Sequence, residues 1–140
     1  GTLMGCSEYF RVHSPNTKVI AVDSVGSVTF GVEPGPRYLP GLGASVQPPF
    51  FSSLYLDMLI QVPEQDAVKV CRELAERYGY LAGASTGTVL AGVRSISRLF
   101  KETDKVVAIS PDLGSGYVNT VYSNEWCEEK FGCLVNGESQ

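Results

Sequence analysis

Hydrophobic and polar positions follow two rhythms along this chain, one of helical period and one strand-like, and the two alternate. Leu3, Cys6, Tyr9 and Phe10 recur at helical spacing up to about Val12, and His13-Ser14-Pro15-Asn16 stops that helix, leaving His13 as a solvated loop residue. Lys18-Val19-Ile20-Ala21-Val22-Asp23 is a short β-branched run of the kind covered on both faces in a parallel sheet. Asp57-Met58-Leu59-Ile60-Gln61-Val62 predicts a second strand. Pro63 then opens a helix ending near Gly79, with Glu64 and Asp66 in its first turn, where acidic side chains favour the dipole. The apolar stripe of that helix is Val68, Cys71, Leu74, Ala75 and Tyr78, while Lys69, Arg72, Glu73, Glu76 and Arg77 are expected to face water. Beyond a small-residue turn, Val89, Val93, Ile96 and Phe100 predict a further helix. Lys105-Val106-Val107-Ala108-Ile109-Ser110 predicts a third strand, and Val118, Val121, Tyr122 and Trp126 a last helix. The tail from Gly132 onward is expected to fray. Strands alternating with helices define an α/β layer arrangement.

Three segments break the rhythm. The first, Ser24 to Phe51, is rich in glycine and proline and too long for an ordinary connection, a length that is commonly functional in a compact domain. Within it Gly41 and Gly43 flank Leu42, as suits a backbone with unusual dihedrals close to a ligand. The second, Pro111 to Tyr117, follows the third predicted strand, where open α/β sheets place ligands. The third, Tyr80-Leu81-Ala82-Gly83-Ala84-Ser85-Thr86-Gly87, runs straight into a helix and offers backbone N–H groups beside hydroxyls to an anion or a ligand heteroatom. Ser85 or Thr86 could equally cap the helix. The same residues fit G-x-S-x-G, the nucleophile turn of hydrolases, which requires a strand leading into the serine and the order serine, acid, histidine. Here a helix leads in and the sole histidine, His13, precedes Ser85, so the hydrolase reading fails both tests and survives only if another chain donates a histidine.

Composition narrows the partners. With 140 residues the chain is one domain or part of one, and its formal charge of −4 without a basic cluster excludes a nucleic-acid or anionic-membrane binder. No apolar run approaches the ~20 residues of a membrane span and no signal peptide opens the chain, so a cytoplasmic protein is expected. The start at Gly1-Thr2-Leu3, without an initiator methionine or a polar linker, suggests truncation. Cys6, Cys71, Cys127 and Cys133 form no C-x-x-C pair, which leaves reduced, packing thiols and no metal site.

Taken in order, these pieces resemble the C-terminal half of the fold-type II pyridoxal phosphate enzymes, the cysteine synthase and cystathionine β-synthase superfamily. The resemblance covers residues 1–140: the helix opened by Gly1-Thr2, the strand Val19 to Asp23, the Gly41-Leu42-Gly43-Ala44 loop, the Gly83 to Gly87 turn, and Ile109-Ser110-Pro111-Asp112 followed by Gly114 and Tyr117. It implies a three-layer, open, mostly parallel sheet with helices on both faces, like that of the tryptophan synthase β subunit and incomplete here. Ala21 to Gly31, Leu39 to Ser45 and Val121 to Trp126 look most like enzymes of diaminopropionate and siderophore biosynthesis, which condense O-phospho-L-serine with L-glutamate and release phosphate. Sulfur-adding β-replacement, as in cysteine synthase, and a non-catalytic module that keeps the fold are the alternatives.

Residue by residue, the resemblance makes Gly1 and Thr2 the end of the loop that grips the cofactor phosphate, and Ser85 the serine that meets the pyridine nitrogen. Gly41, Gly43, Ala44 and Ser45 would border the substrate. Two departures stand out. Gly116 precedes Tyr117 where family members often carry arginine. The Schiff-base lysine belongs to the N-terminal half, so Lys18, Lys69, Lys101, Lys105 and Lys130 have no catalytic assignment and the missing half is the implied partner, within a homodimer.

Overall fold

The computed structural model of the chain describes residues 1–49, 56–133 and 135. Helix α1 (Thr2–His13) leads to β1 (Ile20–Ser24), and a long irregular segment returns as β2 (Met58–Val62). The two strands pair in parallel, Val22 opposite Ile60 and Ser24 opposite Val62. Helix α2 (Glu64–Tyr78) follows directly and stops at Gly79, whose φ of 64° is the left-handed closure glycine adopts without a steric penalty. There the amide of Tyr80 donates to the Leu74 carbonyl at 3.2 Å. Helix α3 (Ala84–Ser95) packs on α2 and on the sheet, and a Cβ at Gly92 would stand 2.8 Å from a Val22 methyl. A short helix, α4 (Asn124–Phe131), closes the described elements, its Ser123 hydroxyl accepting the Trp126 amide.

The core has two parts that meet at Leu74. The larger gathers Ala67, Val68 and Cys71 of α2 with Ala82, Val121 and Cys127, and the smaller joins Val62, Val70 and Ala91. Helix α2 is therefore buried on two sides, and both Ala67 and Val70 lie inside. Tyr78, expected in the apolar stripe, is instead 72% exposed. Arg72 and Glu73, expected to face water, are buried. The Arg72 guanidinium reaches across to α4, donating to the Val121 carbonyl at 2.8 Å, Asn124 Oδ1 at 2.6 Å and Cys127 Sγ at 3.3 Å. Glu73 pairs with Arg94 and Arg77, and Arg94 holds its carboxyl below the usual carboxylate range. Arg72→Met should lower stability by about 3 kcal/mol, because it leaves the Val121 carbonyl and the Asn124 side chain without their donor; urea unfolding measures the loss.

Other expectations meet the structure differently. Lys105–Ser110 forms no strand: every residue from 105 to 110 is exposed, Val107 at 88%, and among the described residues no strand lies alongside to supply ladder partners. The helix predicted from Val118 starts only at Asn124, since the Gly114–Tyr117 3₁₀ turn and further turns occupy the preceding residues. Helix α3 ends at Ser95, with Ile96 outside it and Phe100 beyond a 3₁₀ turn. His13 ends α1 and stacks on Tyr9, ring centroids 4.2 Å apart, rather than sitting in a loop. In the tail, Val135 is buried in the larger core; Leu134 and residues 136–140, like Phe50 and Phe51 of the long segment, lie outside the described residues. No described helix is long and apolar enough to cross a membrane.

All four cysteines are free, but only Cys71 and Cys127 are buried as packing predicts. Burial pushes the Cys71 thiol up to about 11, so it stays neutral well above physiological pH. Cys6 and Cys133 are therefore expected to react with a thiol reagent in the native state, and Cys71 and Cys127 only after unfolding; counting labelled cysteines by mass checks this. A thiol held neutral favours the folded form most below its ordinary value near 9. That contribution is lost as the pH rises from 9 through about 11.

Candidate functional site

The site is built where the small-residue turn enters α3. Gly83 caps the helix, its carbonyl accepting the amides of Thr86 at 3.1 Å and Gly87 at 3.2 Å. Neither Ser85 nor Thr86 is the cap: both lie within the first turn. Thr86 spends its hydroxyl on Ser110 Oγ at 2.8 Å, which Tyr80 also meets at 3.0 Å. Ser85 is buried at 6% exposure, and its hydroxyl has no hydrogen-bond partner among the described residues. Unlike Asp112 Oδ1, this hydroxyl oxygen is not sealed from solvent, so at the helix N-terminus it is open to a ligand heteroatom.

The segment after residue 110 wraps this turn. Gly83 N–H donates to the Asp112 carbonyl at 3.1 Å, Gly114 N–H to the Leu81 carbonyl at 2.7 Å, and the Tyr122 hydroxyl to the Ala82 carbonyl at 2.7 Å. The Asp112 carboxylate lies so close to Gly83 that a Cβ there would overlap it, and one oxygen takes the Tyr117 hydroxyl at 2.7 Å. A carboxylate beside the N-terminal end of a helix is electrostatically favoured. The other oxygen, Oδ1, is buried without a hydrogen-bond partner among the described residues. Burial first, and then the Asp112 carboxylate, push the Tyr117 phenol up to about 12, so it remains a neutral donor.

The glycine loop forms the facing wall. Gly41 and Gly43 both take positive φ, 92° and 82°, as their spacing predicts. A Cβ on Gly41 would stand 3.2 Å from Ser85 Oγ and 3.5 Å from the Tyr117 hydroxyl, which places this backbone directly over the serine. Two anchors hold the loop from outside it. Glu64, at the start of α2, accepts the amides of Tyr38 and Leu39 at 2.8 Å. Ser27, fully buried, accepts the Ala44 amide at 3.0 Å, and the Ala44 carbonyl accepts the Val28 amide at 2.9 Å.

Of the sequence-predicted positions, the structure thus gathers Gly41 and Ser85, with Gly43, Ala44 and Ser45 continuing the same loop. Gly1 and Thr2 open α1 as expected, without a side-chain cap and without an acidic residue in the first turn, but share no hydrogen bond with the loop or with Ser85 among the described residues. Sequence reasoning gave Arg37, Glu64, Ser27 and Asp112 no individual role here. Two carried a signal: Glu64 as an acid at a helix start beside the loop, and Asp112 through its place in the Pro111 to Tyr117 segment. Lys18, Lys69 and Lys130 are engaged at the surface with Asp57, Asp66 and Glu129, and no described cluster of His, Cys, Asp and Glu could hold a metal.

The parallel α/β unit that carries this turn and the facing glycine loop has the fold of the cysteine synthase type, as its solved structural neighbours show. The chain belongs to the pyridoxal-phosphate dependent enzyme family, whose model matches residues 1–112. It is similar to the N-(2-amino-2-carboxyethyl)-L-glutamate synthase of Ralstonia nicotianae, 40% identical over 126 residues, 90% of this chain and 37% of that relative. Among solved structures it resembles the cysteine synthase of Entamoeba histolytica, with TM-score 0.78 and 30% identity over 86% of this chain and 37% of that one. It also resembles the O-acetylserine-dependent cystathionine β-synthase of Helicobacter pylori, with TM-score 0.76 and 29% identity over 85% of this chain and 39% of that one. The chain thus spans less than two fifths of the length of these relatives.

Proposed function

We propose that the complete protein to which these residues belong condenses O-phospho-L-serine with L-glutamate, giving N-(1-amino-1-carboxy-2-ethyl)-glutamic acid and phosphate. The observation that carries this reading is the 40% identity to the glutamate synthase over nine tenths of the chain. The residues present fit pyridoxal phosphate: the hydroxyl of Ser85 has no hydrogen-bond partner among the described residues, and the uncapped start of α1 offers amides. When bound, the cofactor supplies electron withdrawal from the α-carbon of an amino acid, which opens the β-carbon to replacement.

In this reading Gly1 and Thr2 hold the cofactor phosphate through N–H groups and a hydroxyl at the positive end of α1. The Ser85 hydroxyl donates to the pyridine nitrogen. As a neutral donor it leaves that nitrogen largely unprotonated, which moderates electron withdrawal and suits elimination at the β-carbon over deeper carbanion chemistry. Gly41, Gly43, Ala44 and Ser45 wall the substrate side and restrict water. The proton-transferring lysine comes from polypeptide outside these 140 residues. That polypeptide also covers the apolar groove of about 760 Å³ between the sheet, α3 and residues 104–107, and gives Lys105–Ser110 its strand neighbours. Assembly as a cytoplasmic homodimer in siderophore biosynthesis completes the proposal.

Incubating the complete, cofactor-loaded protein with O-phosphoserine and glutamate tests it: phosphate release with a product of the condensed mass is expected. Product only with sulfide or a thiol would replace it by the sulfur-nucleophile reading. The 140 residues alone are expected to release no phosphate, and measurable turnover by them would contradict the division of labour.

A further inference from the structure

Arg37 belongs to no ion pair among the described residues, although it sits in the long segment beside an acid. The carboxylate bonded to that segment, Glu64, is occupied by the amides of Tyr38 and Leu39. The guanidinium instead spans the glycine loop: one terminal nitrogen donates to the Leu42 carbonyl at 3.1 Å and the other to Ser45 Oγ at 2.9 Å. Between those two points stands Gly43, whose Cβ, if it had one, would lie 2.5 Å from the guanidinium and 2.9 Å from Ser27 Cβ. The Arg37 Nε is buried with no hydrogen-bond partner among the described residues. Such an unmet donor weighs against the fold, so a simple stabilising contact is a poor account of this side chain. The fork, by contrast, fits its two acceptors, and a lysine ammonium on a flexible stem lacks that planar two-pronged shape.

We propose that Arg37 is a positioning residue that clasps the Gly41–Ser45 loop in the positive-φ conformation carrying Gly41 over Ser85, and so sets how tightly the site holds its amino-acid substrates. This rests on the reading that the loop borders the substrate. Arg37 acts through the loop and takes no part in bond making or breaking.

In the complete, cofactor-loaded enzyme, Arg37→Ala is expected to raise the KM of the amino-acid substrates about tenfold, the scale of losing charge-assisted hydrogen bonds. kcat should fall by less than about threefold, the pattern of lost uniform binding. Guanidinium ion at tens of millimolar should lower the KM of that variant, whereas Arg37→Lys should not restore it. Ser45→Ala, which removes one prong's acceptor and leaves Arg37 in place, should move KM in the same direction by a smaller factor. Titrating each substrate against the cofactor's absorbance should show the same weakening without relying on turnover.

Unchanged KM and substrate affinity in a folded Arg37→Ala protein would overturn the proposal, as would full restoration by lysine. So would a loss that follows the melting temperature and ignores guanidinium, because that is the behaviour of a structural contact. The wild type is assayed in parallel with glutamate and with sulfide. If sulfide alone is accepted, the proposed reaction fails while the Arg37 comparison proceeds with that nucleophile.

Discussion

Replacing Gly87 by valine is expected to destabilise the protein by about 3 kcal/mol or more, the upper range for forcing atoms into a packed interior. Gly87 lies in the first turn of α3 where that helix meets α2, and a Cβ there would overlap the Ala67 carbonyl oxygen and Cys71 Sγ. Neither neighbour can yield cheaply, because the carbonyl is backbone of a buried helical turn and Cys71 is fully buried. Gly87→Ala should also destabilise, by less, since the overlap outweighs the roughly 1 kcal/mol an alanine gains in helix propensity. Against a total stability of about 5–15 kcal/mol the valine variant is a large loss. Urea unfolding of the complete protein measures it, and a midpoint unchanged for Gly87→Val would show that α2 and α3 do not approach this closely. The contact matters to the site because it fixes where the start of α3, and with it Ser85, stands.

Ser85→Ala is expected to separate function from stability. The Ser85 hydroxyl has no partner among the described residues, so its loss should leave the melting temperature of the cofactor-free protein unchanged. If Ser85 meets the pyridine nitrogen as proposed, the same substitution in the loaded enzyme removes that hydrogen bond, and kcat/KM should drop by about tenfold or more. A capping serine would behave in the opposite way, costing about 1 kcal/mol of stability with little effect on chemistry. Kinetics of the loaded protein beside thermal unfolding of the unloaded one decide between the two.

Much of the framework was legible because it depends on local pattern. The β-branched runs at Ile20 and Met58 became the paired strands, and the amphipathic stretch after Pro63 became α2, closed by Gly79. Gly41 and Gly43 declared their dihedrals by their spacing. What pattern could not reach depends on partners distant in sequence. Arg72 reads as a surface charge on its own helix, and only the fold brings it to Val121, Asn124 and Cys127, about fifty positions away. Lys105–Ser110 carries the composition of a buried strand, but a strand exists only through pairing, and among the described residues that run has no neighbour. The site divides in the same way. The turn holding Ser85 and the segment holding Asp112 were legible as local patterns, while the Asp112–Tyr117 contact and the reach of Arg37 to Leu42 and Ser45 entered only with the fold.

The most direct measurement is an experimental structure of the complete protein with pyridoxal phosphate bound. The account predicts Ser85 Oγ within hydrogen-bond distance of the pyridine nitrogen, roughly 2.7–3.2 Å, with the first amides of α1 on the phosphate of the same molecule and Gly41 against its substrate side. A cofactor whose ring nitrogen meets another residue, or Ser85 and the start of α1 on different faces of the sheet, would contradict it.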